Sequence, residues 1–578
     1  MAFAMFVLFA TFSPQTSLSA QLFGLKLLDS TTQHELNKWI RANGSASVFS
    51  ELYLTGNGAN ARRPPATIRA NIQTTFTILD QISVPFELML STENVSFRQP
   101  FNQFGFSPQL GKNVRLSVGY HNISYSQYSV GDVRLLGGGA DVKIGNFRIQ
   151  ANAGESQRPA LPDSATFFAG SLARMLLAGR IAYESDSGAV FGLNVVRARD
   201  DAASLTVPPE RQSRIPRFLE AQDNLVASID ARFPLFSQKV LVEGEVAAAR
   251  NGGLWAQLIG AECGFGSSGG IVSADNLRLD YAARLNISYD ASSDALPISF
   301  RFRAEYIGPG YISLGYAQLP NDRLETDIAP TLRLFDNKLT LSGSIGYSVN
   351  NLLGDRITTA QRVIGSANIS AQITDWFGID AQYQNYGIRV APPPNFSIVQ
   401  PMQPITQLQT QQVFGFISLM PRAFFKLGEY NQNVSFIASV QQFADANAET
   451  RRFTENSSQM YRLLWSSQIQ KLTLTINLSQ MSNQSAFAQF AATEASVTAA
   501  HPFFENKLTP ALTLGWTKTT ESSGLDSRFS STLRANYRLT KETDVVLAMQ
   551  ANYYSYKPGS RSPSYAEGQM SLEIRQRF

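Results

Sequence analysis

The sequence predicts an all-β fold: a transmembrane, antiparallel, up-and-down β-barrel of about 26 strands (roughly 24–28), with a short N-terminal periplasmic helix ahead of it. Three observations support this. Long stretches alternate apolar and polar residues with a period of two. Their connections alternate between tight turns and long polar loops. The chain also ends on a phenylalanine that closes an alternating segment.

The alternation is plain where Leu339, Leu341, Ile345, Tyr347 and Val349 oppose Thr340, Ser342, Ser344 and Ser348. It recurs where Leu472, Leu474, Ile476 and Leu478 oppose Thr473, Thr475, Asn477 and Ser479, and where Phe300, Phe302, Ala304 and Tyr306 oppose Arg301, Arg303 and Glu305. Such segments run to about ten residues, enough to cross a bilayer when tilted, whereas soluble strands are nearer five or six. Tight turns at Leu79-Asp80-Gln81, Gly145-Asn146, Asp336-Asn337-Lys338 and Gln470-Lys471 alternate with long segments such as 56–65, 200–223, 251–279 and 388–409. Short periplasmic turns and long external loops give outer-membrane barrels this asymmetry.

Bilayer physics orients the faces. An unpaired backbone group in lipid costs several kcal/mol, so a spanning sheet must close on itself, with its apolar face outward. Aromatic residues gather near strand ends, as at Tyr183, Phe233, Tyr289, Phe335, Trp376, Phe503 and Tyr553, in the manner of interfacial girdles. The opposite, luminal face carries Arg69, Arg115, Arg148, Arg180, Arg232, Arg284, Arg301, Arg303 and Arg534, with Arg333, Arg538, Arg575 and Arg577. Against them stand Asp141, Asp230, Glu243, Glu245, Glu305, Asp327, Asp380 and Glu573. The expected lumen leans basic.

The ends of the chain bear on export and assembly. Residues 1–20 hold an apolar run, Ala2 to Phe12, then small residues around Ser17, Ser19 and Ala20, the pattern of a cleaved signal peptide. Its n-region lacks Lys and Arg. Residues 21–45 form a short periplasmic segment and 46–578 the barrel. Within that segment a capping-box pattern at Ser30–Gln33, with Leu36, Trp39 and Ile40 at helical spacing and Gly44 as a stop, predicts a helix over 29–43. At the other end Met570, Leu572, Ile574 and Phe578 share one face, against Ser571, Glu573, Arg575 and Arg577. This resembles the terminal-strand signal read by barrel-assembly machinery.

Composition narrows the function classes. Charged residues make up 16% of 578, the net charge is +4 and the mean hydropathy is −0.12. A barrel looks soluble by hydropathy because only alternate strand residues face lipid. The small charge and the absence of basic runs exclude a nucleic-acid partner. A lone cysteine, Cys263, excludes an intramolecular disulfide framework. His34, His121 and His501 are too dispersed for a local metal motif, so no metal or cofactor is expected. No nucleophile elbow, Walker loop or zinc-protease helix occurs. For a lipid-acting enzyme the one candidate is His121 near Ser124 and Ser126, where a hydrogen-bonded luminal histidine is the simpler reading. Arg211, Arg214 and Arg217 could bind an anion, or form a solvated external loop. The Gly/Ala-rich stretch after Asn251-Gly252 could fold into the lumen.

One block carries a resemblance. Ser96-Phe97-Arg98-Gln99-Pro100-Phe101-Asn102-Gln103-Phe104-Gly105-Phe106-Ser107-Pro108, followed by Gly119-Tyr120-His121-Asn122 and Gly137-Gly138-Gly139, is similar to a poorly characterised group of large outer-membrane β-barrel proteins from Bacteroidetes and related phyla. The similarity is clearest over residues 50–160. It implies the fold and the location, with no reaction to transfer. His121 stands where the group has a basic residue.

About 26 strands would enclose a hole that leaks unless it is filled. Residues 21–45 leave no room for a separate plug domain, so the filling is expected from loops 200–223, 251–279 and 387–410, or from a periplasmic or lipoprotein partner. The expected function is a transport or secretion conduit. The alternatives are a structural or assembly barrel that scaffolds partner proteins and, more remotely, a lipid-acting enzyme. Outer-membrane lipid and the assembly machinery are the other expected partners.

Overall fold

The computed structural model describes residues 39–56, 63–92, 103–161, 170–205, 221–252, 271–272, 278–291, 297–316, 319–354, 359–391, 410–445, 451, 454–485, 488–520, 524–558 and 563–578. Their regular elements are all β-strands, numbered here β1 to β28 in chain order. Every pairing is antiparallel, and apart from β4, β5 and β13 each strand lies beside its chain neighbours. β4 (Gln103–Phe106) and β5 (Gln109–Leu110) together fill one place in the wall, between β3 (Ile82–Ser91) and β6 (Val114–Ile123). β13 (Ile271–Val272) is a short ribbon alongside β14 (Arg278–Asp290), which pairs directly with β12 (Val240–Gly252). The wall therefore has 26 strands, the number the alternation predicts.

The barrel closes where β1 (Ile40–Thr55) pairs with β28 (Tyr565–Arg577), in register from Ser45↔Arg577 to Thr55↔Glu567. Gly44 and Phe578 extend the seam by exchanging backbone hydrogen bonds of 2.9 and 3.0 Å. Ile574, Leu572 and Met570 stand opposite Val48, Ser50 and Leu52. Met570 and Leu52 are exposed on the outer face. Closure needs this last edge to be paired, and an open edge in lipid is costly. Deleting Phe578 is expected to lower the heat-modifiable, folded fraction in outer-membrane preparations; an undiminished folded yield would count against a role for that residue in assembly.

β1 begins earlier than the sequence suggests. Ile40 to Asn43, the last positions of the expected helix, are strand and pair with Ile78 to Thr75 of β2 (Ala66–Ile78). Gly44, expected as a helix stop, instead permits a close strand approach, because a Cβ there would lie 2.2 Å from the Gln73 carbonyl oxygen. Residues 29–38 of that helix, and the signal peptide, lie outside the described residues.

Glycines of the block that begins at Ser96 also have a structural role. Gly105, Gly119 and Gly137 fall in one cross-strand row that continues to Gly154. Gly119 has φ +85°, and a Cβ at Gly137 would lie 2.0 Å from the Ala153 carbonyl oxygen. Glycine kinks of this kind bend a sheet sharply. Beside them, Ser107-Pro108 separates β4 from β5, since proline brings no N–H to the ladder.

The outer face is apolar along every part of the wall, with Leu177, Leu193, Val246, Ile345, Ile417 and Leu514 among its exposed residues. Aromatic pairs sit near the strand ends. Phe147 and Tyr183 meet at 5.4 Å and Tyr289 and Phe300 at 5.5 Å at the short-turn end, and Tyr281 stacks on Tyr306 at 4.9 Å at the other. No helix among the described residues is long and apolar enough to cross a membrane. A closed sheet with a lipid-facing apolar belt and aromatic rims crosses the membrane by its strands and belongs in the outer membrane.

Candidate functional site

An outer-membrane barrel of this width poses a physical problem in its interior. Eight strands leave just enough room for side chains, and 16–18 already leave an aqueous channel. In this barrel two connections from the long-loop end pack against the inner wall: residues 124–132, between β6 and β7 (Val133–Ile144), and the described residues 308–316 and 319–322, between β15 (Ile298–Ile307) and β16 (Arg323–Leu334).

The wall beneath them is prepared to receive them. Strands normally point polar residues into a wide lumen. On β9 (Ala173–Glu184), β10 (Val190–Asp201), β11 (Asp223–Leu235), β12, β14 and β15 the inward face instead carries Leu176, Ala178, Val196, Ala198, Val226, Ala247, Ala249, Ala282 and Ile307. These pack with Tyr128, Val130, Leu135 and Tyr311 into one buried cluster. Alanine on the wall leaves room for the two tyrosine rings, which meet edge-on at 6.1 Å. The cluster is a small hydrophobic core inside the barrel.

Charged and polar groups ring this core. Glu245, whose side chain is 0% exposed, accepts the backbone N–H groups of Gln127 and Tyr128 at 3.1 and 3.2 Å. Arg284 lies 3.5 Å from the same carboxylate and donates to the Gln127 side-chain carbonyl. Glu305 accepts from the Tyr128 hydroxyl at 2.9 Å and from the Gln127 amide at 3.0 Å, and pairs with Arg323 at 2.9 Å. Arg180 makes a bidentate pair with Asp230 at 2.6 and 2.9 Å and donates to the Tyr125 carbonyl at 3.2 Å.

The second loop is held in the same way. Asn224 donates to the Ile312 carbonyl and accepts from the Leu314 N–H, at 2.8 and 3.0 Å. Asn251 donates to the Gly310 carbonyl at 3.0 Å, and Asp280 accepts from the Gly310 N–H at 2.6 Å. The loops are tied to each other as well: Tyr311 donates to the Tyr128 carbonyl at 3.0 Å and Ser313 to the Ser129 carbonyl at 2.8 Å. Burial pushes the phenols of Tyr128 and Tyr311 up from their ordinary range, with Glu305 adding to the effect on Tyr128 and Glu245 to that on Tyr311. Both therefore remain neutral donors.

These loops are not the ones the sequence singles out. The bulk of 200–223, 251–279 and 387–410 lies outside the described residues, as do Arg211, Arg214, Arg217, Cys263 and His34. The signal for this packing lies in the wall. Segments such as Met175–Ala178 and Val246–Ala249 are apolar on both faces, which a strand lining open water has no reason to be.

Most of the arginines expected in the lumen are partners in ion pairs. Arg148 pairs with Asp141 at 2.6 Å, Arg232 with Glu243 at 3.6 Å, and Arg301 and Arg303 both with Asp327, at 3.7 and 2.5 Å. Arg180 and Arg284 hold the loop network described above. Arg69 lies over the Phe49 ring at 5.9 Å. Arg534 stands opposite Ala511 on the wall. Arg115, with His121, Arg148 and Arg577, lines a cavity of about 920 Å³ below the first loop. His121 contacts the Gly119 carbonyl and the Asn152 side-chain oxygen, each at 3.1 Å, while Ser126 bonds Ser129 and Ser228. The histidine and serine of the enzymatic reading are thus engaged with other groups. Among the described residues no cluster of His, Cys, Asp and Glu is arranged to hold a metal.

No family model matches the chain, and no curated protein matches it. Solved outer-membrane structures are similar at low level. The siderophore receptor PirA from Acinetobacter baumannii is 8% identical with a TM-score of 0.39, over 93% of this chain and 80% of that one. The alcaligin outer-membrane receptor FauA from Bordetella pertussis is 10% identical with a TM-score of 0.35, over 93% and 76%. The translocation pore of the P pilus usher PapC is 10% identical with a TM-score of 0.35, over 93% and 100%. Scores this low say nothing of what the chain carries or binds.

Proposed function

We propose that this barrel is a transport or secretion conduit, held shut by residues 124–132 and 308–316 and offering a basic-leaning lumen to its solute. The observation that carries the reading is the docking of both loops inside the wall, on a core built to receive them. An open ring of 26 strands would breach the permeability barrier, so a barrel that conducts on demand has to be filled at rest. Lipid and the barrel-assembly machinery are its constant partners in this reading, with Met570, Leu572, Ile574 and Phe578 as the assembly signal. Kinship with the Bacteroidetes-type group rests on the Ser96–Pro108 block and its glycines.

Planar-bilayer recording tests the proposal. The wild-type protein is expected to conduct little, and a variant with 309–321 replaced by a short Gly/Ser linker is expected to show large unitary steps. Because most of the luminal arginines are paired, chloride preference in a KCl gradient should be weak and should fall with ionic strength. Arg301→Gln with Arg303→Gln leaves Asp327 without its partners and Glu325 with Arg323 alone, and should shift the reversal potential towards cation preference. A second reading, a scaffold that holds a periplasmic or lipoprotein partner, draws on the 920 Å³ cavity, whose lining includes Asn43 and Arg577 near the two chain ends of the barrel. Absence of conductance even in the loop-replaced protein would leave this second reading in place of the first.

A further inference from the structure

The wall between β18 (Thr359–Gln372) and β22 (Asn456–Ile469) differs from the loop-covered side. On its outer face Tyr383, Ile417 and Phe436 are exposed towards lipid, so residues of the opposite parity point into the lumen. There Tyr386 of β19 (Phe377–Ala391), Phe414 of β20 (Thr410–Leu427) and Phe443 of β21 (Tyr430–Asp445) are direct cross-strand partners in one row. The first two rings stack at 4.7 Å with 23° between their planes. The next inward-facing row is Gln384, Phe416 and Gln441. No carboxylate, ammonium or guanidinium stands on either row from β18 to β22. Gln384 and Gln441 have no side-chain hydrogen-bond partner among the described residues.

We infer that these two rows form a binding track for neutral oligosaccharide near the external mouth of the lumen. A sugar ring presents C–H faces that pack on aromatic rings, and hydroxyls that both donate and accept. The glutamine carboxamides offer matching donors and acceptors one row away. A purely apolar solute would strip those amides of water with nothing in return, which costs affinity. An ionic solute finds no countercharge on these rows, and the nearest charges on this face, Arg362 and Asp445 one row towards the mouth, are of opposite sign. Neighbouring strands lie about 4.8 Å apart, so the aromatic row extends roughly 10 Å between its outer members, a platform for an oligomer more than for a single ring. The track concerns binding alone and holds whether or not the lumen conducts.

Calorimetric titration of the purified full-length protein, in a detergent without a sugar headgroup, tests this with maltohexaose and cellohexaose as probes. Saturable binding of at least one hexasaccharide is expected. It should weaken at least tenfold in Phe414→Ala and in the volume-conserving Gln441→Leu, and be unchanged in the lipid-facing Ile417→Ala. Heat-modifiable mobility establishes that each variant is folded, and Gln441→Leu decides the matter if Phe414→Ala does not fold. No saturable binding of either sugar, binding untouched by a folded track variant, or tighter binding of decanoate than of both sugars overturns the inference. None of these outcomes bears on the conductance experiment, which stands or falls separately.

Discussion

Glu245→Ala is expected to turn a nearly silent barrel into one that conducts, with mean current raised about tenfold or more. The carboxylate is fully buried, accepts two backbone N–H groups of the first loop and faces Arg284 at 3.5 Å. Removing one member of a buried charged network costs about 3–5 kcal/mol, because the groups left behind are buried without a partner. That cost falls on the loop rather than on the wall. β12 keeps its full ladders to β11 and β14, whereas residues 124–132 are held largely by side chains. Since every 1.4 kcal/mol is a factor of ten in population, even part of this penalty shifts the loop outward by a measurable amount. Glu243→Ala is the control: its partners, Arg232 at 3.6 Å and more than half exposed and the Asn286 amide at 3.0 Å, belong to the wall and not to the loop. A Glu245→Ala barrel that folds normally and stays as silent as wild type would show that the first loop does not gate the lumen.

Ile345→Arg is expected to impair barrel assembly strongly, while Ser344→Arg on the adjacent residue is tolerated. Ile345 lies at the middle of β17 (Leu339–Asn350) with 60% of its surface exposed on the outer face. Arginine at the bilayer midplane of a barrel costs about 2–4 kcal/mol. Ser344 points the other way and hydrogen-bonds Ser366 across the strand pair at 2.7 Å. Arginine there exchanges one weak hydroxyl contact for a hydrated charge in the lumen. Urea titration of the two variants refolded into lipid vesicles measures the contrast. Equal destabilisation by both would overturn the assignment of faces.

Both expectations depend on the pattern of residue faces, and that pattern was legible early. Strand period, loop parity and an aromatic terminus are local properties, and the penalty for unpaired backbone in lipid converts them into a closed barrel with its apolar side out. Strand number followed because each alternating segment can be used only once in an up-and-down wall. The edges of elements were less legible. Ile40–Asn43 has helical spacing with Trp39, yet pairing with Thr75–Ile78 satisfies its backbone in a way one short helix at the rim could not match.

What packs against the inner wall was a tertiary decision. Residues 124–132 are short and polar enough to pass as an ordinary external connection, and the sequence of 308–322, though it carries Tyr311, Ile312, Leu314 and Tyr316, has the glycines and prolines of one. Nothing in them indicates that Tyr128 and Tyr311 meet at 6.1 Å within the barrel. Their partners Glu245, Asp280 and Glu305 come from strands more than a hundred residues from the first loop, and the curvature of the closed wall brings them together. The luminal arginines show the same limit. Sequence places each on the inner face, but whether Arg303 contributes to a positive field depends on Asp327 standing 2.5 Å away on the next strand. Alternation determines which way a side chain points, since it follows from the geometry of a single strand. Closure and register determine what the side chain meets, because they set distances between strands that the chain itself leaves free.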